Sequence, residues 1–223
     1  FWTRDPGAIL ANAGGLEKRG YRFYVMVTLT GYPAVLEPNA PAAESVVQKM
    51  EMLAQKITWN RVIWRYDPVF LSDKTGFEFH RRNFACLAGR LRGTVNRVII
   101  SLYDDYRGAK RRIRALEKDG AFSMTPAADS KGLLPKTKAL LSDIASAAHE
   151  AGMEIQSCAE ANLEPLGIRT GACIDGDLIR GLWGIEAAKR DKNQRPSCLC
   201  ASSVDIGRYG SCRAGCVYCY ASP

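Results

Sequence analysis

The sequence predicts an α/β fold in which βα units repeat and build a parallel sheet. Short stretches rich in β-branched and aromatic residues alternate with longer stretches whose apolar residues recur at helical spacing. Strands that alternate with helices in this way form parallel sheets covered by those helices. The right-handed rule for such crossovers then permits a TIM-like barrel, partial or full. A cysteine-rich loop follows at the carboxyl end of the chain.

The first predicted unit covers residues 21–57. Residues 21–30, YRFYVMVTLT, have the composition of a buried strand. Glycine and prolines then break the chain over 31–41, which predicts a loop. Residues 43–57 are predicted to form a helix, because their apolar residues recur every three or four positions. The apolar stripe consists of Val46, Val47, Met50, Leu53 and Ile57.

Two further units are predicted in the middle of the chain. Residues 61–68, RVIWRYDP, form a strand that is expected to end at a proline. A helix over 76–92 and a strand over 97–104, RVIISLYD, continue the alternation. A basic helix, 106–118, comes next, and the small polar residues of 119–132 predict a loop.

The last part of the body repeats the pattern once more. A helix over 133–151 precedes a strand over 153–160, MEIQSCAE, and a shorter strand over 167–174. A short helix is expected over 177–188, and 202–211 is predicted as a last strand leading into the cysteine loop.

Composition limits the classes of protein that fit. Hydrophobic residues make up 47% of the 223 residues, enough to bury an ordinary core. No apolar stretch reaches the roughly 18 residues that a membrane span needs, and no secretory signal opens the sequence. We therefore expect a cytoplasmic protein without a membrane partner, and we expect both ends of the sequence to be cut. The formal net charge of +8 favours an anionic partner, nucleic acid included.

The eight cysteines are unevenly distributed. Three are scattered through the body, whereas five lie in the final segment: Cys198, Cys200, Cys212, Cys216 and Cys219. Clustered cysteines in a chain with a normal core indicate metal ligation in a reducing compartment. The sequence thus predicts a barrel-like domain over 1–190 and a cysteine-rich iron–sulfur segment over 191–223.

The densest cysteine run, CRAGCVYC, has the spacing C-x3-C-x2-C. Thiolates suit Zn²⁺ and iron–sulfur clusters, and each iron of a [4Fe–4S] cluster takes one outside ligand. Cys212, Cys216 and Cys219 can therefore bind three irons and leave the fourth open. Tyr218 is predicted to lie beside whatever binds at that open iron. Gly215 allows a tight turn before the second cysteine.

This run resembles the signature of the radical S-adenosylmethionine superfamily, C-x3-C-x-aromatic-C. The resemblance implies a [4Fe–4S] cluster, S-adenosylmethionine as cofactor, a radical that abstracts hydrogen from a substrate, and an electron donor. It also implies a partial or full βα barrel, in agreement with the strand pattern. We therefore expect an enzyme, with an unknown substrate that is anionic or a nucleic acid.

A second resemblance covers nearly the whole chain. The stretches FWTRDP, YRFYVMVTLTGYP, NRVIWRYDPVFLSD, KRDKNQRPSCLC and DIGRYGSCRAGCVYCYA are similar to an uncharacterised bacterial family, domain of unknown function 1848. The members of this family are longer proteins, so the resemblance implies that the present sequence is truncated. The resemblance implies no substrate.

Two alternatives remain for the cysteines. The five in the final segment are compatible with a structural zinc module that contacts nucleic acid. They are also compatible with a non-radical electron-transfer protein whose cluster takes Cys198 or Cys200 as a fourth ligand. These two residues can instead ligate a second cluster, together with Cys158 or Cys173. They can also join two of the triad cysteines around one Zn²⁺, or be free thiols.

Other candidate residues lie at predicted strand ends. Arg65, Asp67 and Glu160 are expected near the mouth of the sheet, as catalytic or substrate-binding groups or as an internal ion pair. His80 and His149 have no partner at metal-ligand spacing and are predicted to be surface or capping residues, which argues against a hydrolytic triad. Cys86 is predicted to be a small core residue.

Overall fold

The computed structural model describes residues 1–160, 162–208 and 210–221. The strands are β1 (Trp2–Thr3), β2 (Val25–Thr28), β3 (Val62–Val69), β4 (Arg97–Leu102), β5 (Ala128–Asp129), β6 (Gly132–Leu133), β7 (Glu154–Cys158) and β8 (Arg169–Gly171). The α-helices are α1 (Gly7–Lys18), α2 (Ala43–Ile57), α3 (Phe77–Leu91), α4 (Arg107–Lys118), α5 (Pro135–Glu150) and α6 (Gly176–Trp183).

Six strands form one parallel sheet in the order β1-β2-β3-β4-β7-β8. The order follows the chain, so each crossover adds a strand on the same side, as in a barrel. Among the described residues β8 does not pair with β1, and the sheet is open. The predicted α/β fold with a parallel βα-repeat sheet is confirmed, and the open sheet of the described residues is compatible with a partial barrel.

Alternate residues of each strand face two different cores. Val62, Trp64 and Tyr66 of β3 pack in the main cluster with the helices. Ile63 belongs to a second cluster on the opposite face, with Met26 of β2 and others. We call this opposite side the inner face of the sheet.

The carboxyl-terminal segment contributes to both cores. Cys216, Val217 and Tyr218 are buried in the main cluster. Cys198 and Cys200 are buried in the cluster on the inner face. The predicted domain boundary at residue 190 stays a prediction.

Most predicted elements are present with shorter bounds. The predicted strand 21–30 is reduced to β2, whereas the helix predicted over 43–57 coincides with α2. Strand β3 continues through Pro68 to Val69, with an irregular register against β4. α6 begins where the Asp175 carboxylate accepts the Leu178 N–H at 3.0 Å, a side-chain cap.

Three regions differ from the prediction. The sequence analysis missed β1 and α1, because the glycine-rich α1 has a weak apolar pattern and only Ala13 is fully buried. The loop predicted over 119–132 includes β5 and, with Leu133, β6, which pair antiparallel. No strand forms in the described part of 202–211, where Val204 and Ile206 are exposed and so gain nothing from pairing.

No helix in the described ranges is long and apolar enough to cross a membrane.

Candidate metal centre at the carboxyl edge of the sheet

The cysteine triad lies on a loop, residues 212–219, that is docked onto the segment following β2. We call it the triad loop. Asn39 donates its backbone N–H to the Ala214 carbonyl at 3.1 Å, and Val217 donates to the Leu36 carbonyl at 3.0 Å. Segment 29–41 leaves the carboxyl end of β2, the edge where parallel βα proteins carry their sites. The triad loop is thus held at the carboxyl edge of the sheet.

A buried polar network fixes the triad loop from the side of β1 and β2. The Glu37 carboxylate accepts two hydrogen bonds of 2.8 Å from the Arg4 guanidinium. It also accepts the hydroxyl groups of Thr30, at 2.5 Å, and of Tyr218. Glu37 is only 5% exposed, so its charge is compensated by Arg4 and not by water.

Tyr218 anchors the loop through its hydroxyl and its ring. Arg4 donates to the Tyr218 hydroxyl at 2.6 Å, and the ring packs against Tyr32 and Phe70. Burial raises the pKa of Tyr218 well above its usual value, so the phenol is neutral. The Tyr218 hydroxyl is already engaged by Glu37 and Arg4. The predicted contact of Tyr218 with a cofactor stays a prediction.

The three triad thiols are free and differ in exposure: Cys212 is exposed, Cys219 half-buried and Cys216 buried. The Cys219 N–H donates to the Cys216 carbonyl at 3.1 Å, which closes a turn. Burial raises the pKa of Cys216 to about 11, and the charge of Arg4 opposes this shift. Cys219 and Cys212 lie near enough to raise the pKa of Cys216 further by repulsion between thiolates. A bound metal would remove that penalty, because ligation favours the thiolate.

Gly215 permits the bend that brings Cys216 back toward the core. Its φ of +67° lies in the left-handed region. A Cβ atom there would lie 3.3 Å from Pro38 and from the Asn39 side chain. Both observations agree with the tight turn that the sequence predicts at Gly215.

The basic helix α4 supports the triad loop. Arg112 donates to the backbone carbonyls of Val217, at 3.3 Å, and Cys219. Arg112 of the basic helix therefore has a structural role, whereas Arg107, Arg111 and Arg114 are exposed.

A cavity of about 270 Å³ lies beside this loop. Its lining includes Arg4, Thr28, Thr30, Glu37 and Pro38. The volume is near the lower end of ligand pockets, about 300 Å³.

Arg65 and Asp67 pair with each other on the inner side of β3. The Arg65 guanidinium donates to Asp67, which also accepts the Ser101 hydroxyl. The Arg65 Nε atom is buried and has no hydrogen-bond partner within the described ranges. Of the two readings left open by the sequence, the internal ion pair is therefore observed, and a catalytic role stays a prediction.

Glu160 lies at the same edge, half-buried, after β7. Its carboxylate accepts the Leu102 N–H at 3.3 Å, and it shares no hydrogen bond with the Arg65 pair in the described part of the chain. Burial raises the pKa of Glu160, and the charge of Asp104 adds to the shift. Arg195 pairs with Asp104, so a further cation borders this edge.

The remaining body cysteines meet Cys198 and Cys200 on the inner face. Cys158 ends β7 and Cys173 follows β8, and their Sγ atoms are 3.3 Å apart. Cys200 accepts the backbone N–H groups of Cys173, at 3.2 Å, and Ile174, at 3.4 Å. Its bond with the Cys173 thiol lowers the pKa of Cys200 to about 5, against the effect of burial. Neither Cys198 nor Cys200 points toward the triad loop, since both pack with Cys173.

Two predictions about isolated residues were wrong. His80 is fully buried in α3, where Nδ1 lies 2.8 Å from the Tyr66 hydroxyl and Nε2 3.1 Å from the Phe70 carbonyl. Desolvation lowers the pKa of His80 to about 4, so the imidazole is neutral. Cys86 is exposed, because the buried face of α3 consists instead of His80, Phe84 and Leu87.

Sequence analysis also missed Arg4 and Glu37. These two residues lie 33 positions apart and no local motif joins them. The sequence held one sign of this network: Glu37 stands in a proline-bounded loop, in the stretch LEP, without a basic neighbour that could pair with it.

Comparison with known proteins gives the family and no activity. A similar solved structure is the crystal structure of GH5_18 from Streptomyces cattleya in complex with GlcNAc, at 14% identity and a TM-score of 0.38. The match covers 69% of this chain and 39% of that one. The search of curated proteins found no match. The family model described as Domain of unknown function (DUF1848) matches residues 1–221, and the chain therefore belongs to that family.

Proposed function

We propose that the protein binds a [4Fe–4S] cluster through Cys212, Cys216 and Cys219 and acts as a radical S-adenosylmethionine-type enzyme. The observation that carries the proposal is the docking of three free thiols, on one short loop, at the carboxyl edge of a parallel sheet. Cys198 and Cys200 pack with Cys173 in a cluster different from that of Cys216, which supports a cluster with three protein ligands. Three cysteines leave one iron open, which is the requirement for a bound cofactor.

The residues of the triad loop fit a cluster. Three free thiols lie on one loop, residues 212–219, and each can bind a different iron of a cluster. When bound, such a cluster supplies the electron that cleaves S-adenosylmethionine and yields a hydrogen-abstracting radical. The chain itself holds the loop by Arg4, Glu37 and Arg112 and keeps Cys216 away from water.

The chemistry around this edge favours an anionic substrate, which is the partner we propose. Arg195 and the exposed arginines of α4 border it, and the overall charge is +8. Arg65, Asp67 and Glu160 are the proposed polar contacts for substrate or cofactor. A reducing cytoplasm, with an electron donor, is the proposed setting.

Anaerobic reconstitution tests the proposal. We expect iron and sulfide at about four of each per triad, and a paramagnetic signal of the reduced protein that changes when S-adenosylmethionine is added. The variant Cys216→Ala should lose this response, whereas Cys86→Ser, which removes an exposed cysteine, should keep it.

Each contrary result has a distinct meaning. A cluster whose signal ignores S-adenosylmethionine would remove the radical activity and leave electron transfer. Zinc at the triad without iron, combined with salt-dependent binding of nucleic acid, would replace the proposal by the zinc module.

A further inference from the structure

Four cysteines that are distant in sequence meet on the inner face, away from the triad loop. We call Cys158, Cys173, Cys198 and Cys200 the four-cysteine group. Cys158 and Cys173 come from the ends of neighbouring parallel strands, β7 and β8, whose register pairs Cys158 with Gly171. The other two come from the loop after α6. The fold therefore collects half of the eight cysteines of the chain at one place.

The cysteines of this group pack together. The Sγ atoms of Cys158 and Cys173 are 3.3 Å apart. Cys200 Sγ accepts the Cys173 backbone N–H at 3.2 Å, and Cys198 is buried in the same cluster. From these contacts we propose that the four-cysteine group is a second metal site, separate from the triad, that binds one Zn²⁺ ion through four thiolates.

The backbone around Cys200 is arranged to stabilise a thiolate. Its sulfur accepts two backbone N–H groups, at 3.2 and 3.4 Å, and N–H groups directed at an anion favour its charged form. Arg190 fixes the same loop by donating to the carbonyls of Cys198, at 2.7 Å, and Pro196. The loop that carries Cys198 and Cys200 is therefore held in place by its own backbone contacts.

Positive charge lies where a four-thiolate site needs it. One Zn²⁺ with four thiolates has a net charge of −2, which is costly on a buried face without compensation. Arg65 alternates with Trp64 and Tyr66 along β3 and so lies on the inner face, the face that carries the four-cysteine group. The buried Arg65 Nε has no hydrogen-bond partner in the described ranges, so this cation is not saturated by Asp67.

The distance between the sulfur atoms of the four-cysteine group favours a single metal ion over an iron–sulfur cluster. Zinc bound at about 2.3 Å by four sulfurs places those sulfurs about 3.8 Å apart, near the 3.3 Å observed. Sulfurs that each bind a different iron of a cluster stand further apart. No three His, Cys, Asp or Glu side chains of the described residues already converge on one ion position, so binding requires the thiols to lose protons and rotate.

Metal content tests the proposal in a protein whose triad is removed. The full 223-residue chain with Cys212→Ser, Cys216→Ser and Cys219→Ser should retain about one zinc per chain. The further change Cys158→Ser or Cys200→Ser should release most of that zinc, whereas Cys86→Ser should not. Because the triad is absent, failure of the iron–sulfur proposal leaves this measurement unaffected.

Cobalt gives a second readout that does not depend on how well the ligand variants fold. Co²⁺ added to the triad-free protein should produce the thiolate charge-transfer and d–d bands of a tetrahedral four-sulfur site, and Zn²⁺ should displace it. A triad-free protein that is folded by circular dichroism and binds neither metal would overturn the proposal. Iron and sulfide retained there instead of zinc, or a disulfide between Cys158 and Cys173 in anaerobically purified protein, would overturn it as well.

Discussion

Replacing Arg4 by methionine should destabilise the protein strongly and locally. The change keeps the apolar stem and removes two hydrogen bonds of 2.8 Å to Glu37, whose side chain is 2% exposed. Removing one partner of a buried ion pair costs about 3–5 kcal/mol, because the other charge stays buried. The Thr30 and Tyr218 hydroxyls still donate to Glu37, and the Arg4 side chain is 13% exposed, which places the expected loss near 3 kcal/mol.

Thermal unfolding of the apo protein measures this loss. For a chain of this length a loss of about 3 kcal/mol lowers Tm by about 6–12 °C. The variant Glu37→Gln and the double variant complete a cycle, in which we expect a coupling of about 1–3 kcal/mol. Arg82→Met is the control, since Arg82 pairs with Glu78 at an 81% exposed position and should change stability by less than about 0.5 kcal/mol.

The reasoning fails if Arg4→Met unfolds within about 2 °C of the wild type, near the effect of a surface substitution. It also fails if the losses of the two single variants add without coupling. Either result would mean that Glu37 is not held by Arg4 and that the triad loop has another anchor.

Three further perturbations test other parts of the structure. Gly215→Ala should lower the free energy of unfolding by about 1–3 kcal/mol and reduce the iron retained after reconstitution, because the φ of Gly215 is +67°. The control Gly89→Ala, with open space around its Cβ, should stabilise α3 by about 0.5–1 kcal/mol. Equal effects of the two changes would contradict this. Because burial lowers the pKa of His80 to about 4, the unfolded chain binds a proton that the folded chain does not between pH 6.5 and that value. The free energy of unfolding should therefore fall as the pH is lowered through this window, by at most about 1.4 kcal/mol per pH unit. The fall should be less steep in His80→Gln, and parallel curves for this variant and the wild type would refute the reasoning. Arg112→Met should reduce iron per chain, since it removes hydrogen bonds to two carbonyls of the triad loop, and unchanged iron content would show that the loop is held without it.

Local patterns predicted the elements well where one face of an element is buried. The bounds of α2 follow from its stripe of five apolar residues, all of which are buried. The strands were predicted too long at their ends, because composition does not show where pairing stops. α1 was missed since its packing depends on α2 and not on a pattern of its own.

The candidate site was predictable only where its residues are close in sequence. The triad is a local motif, and its spacing alone suggested a cluster. The Arg4–Glu37–Tyr218 network was not predictable, because it joins positions 33 and 214 residues apart. His80 was misplaced for a related reason: its partners, the Tyr66 hydroxyl and the Phe70 carbonyl, belong to β3 and the residues just after it.

The bond between Arg4 and Tyr218 spans 214 positions and so bears on the order in which the protein matures. Closing such a long stretch of polypeptide is entropically expensive, and it becomes favourable only once the intervening strands have assembled. The loop with Cys212, Cys216 and Cys219 can therefore dock only on a sheet that is already formed. Loading of any iron would then follow the assembly of the sheet.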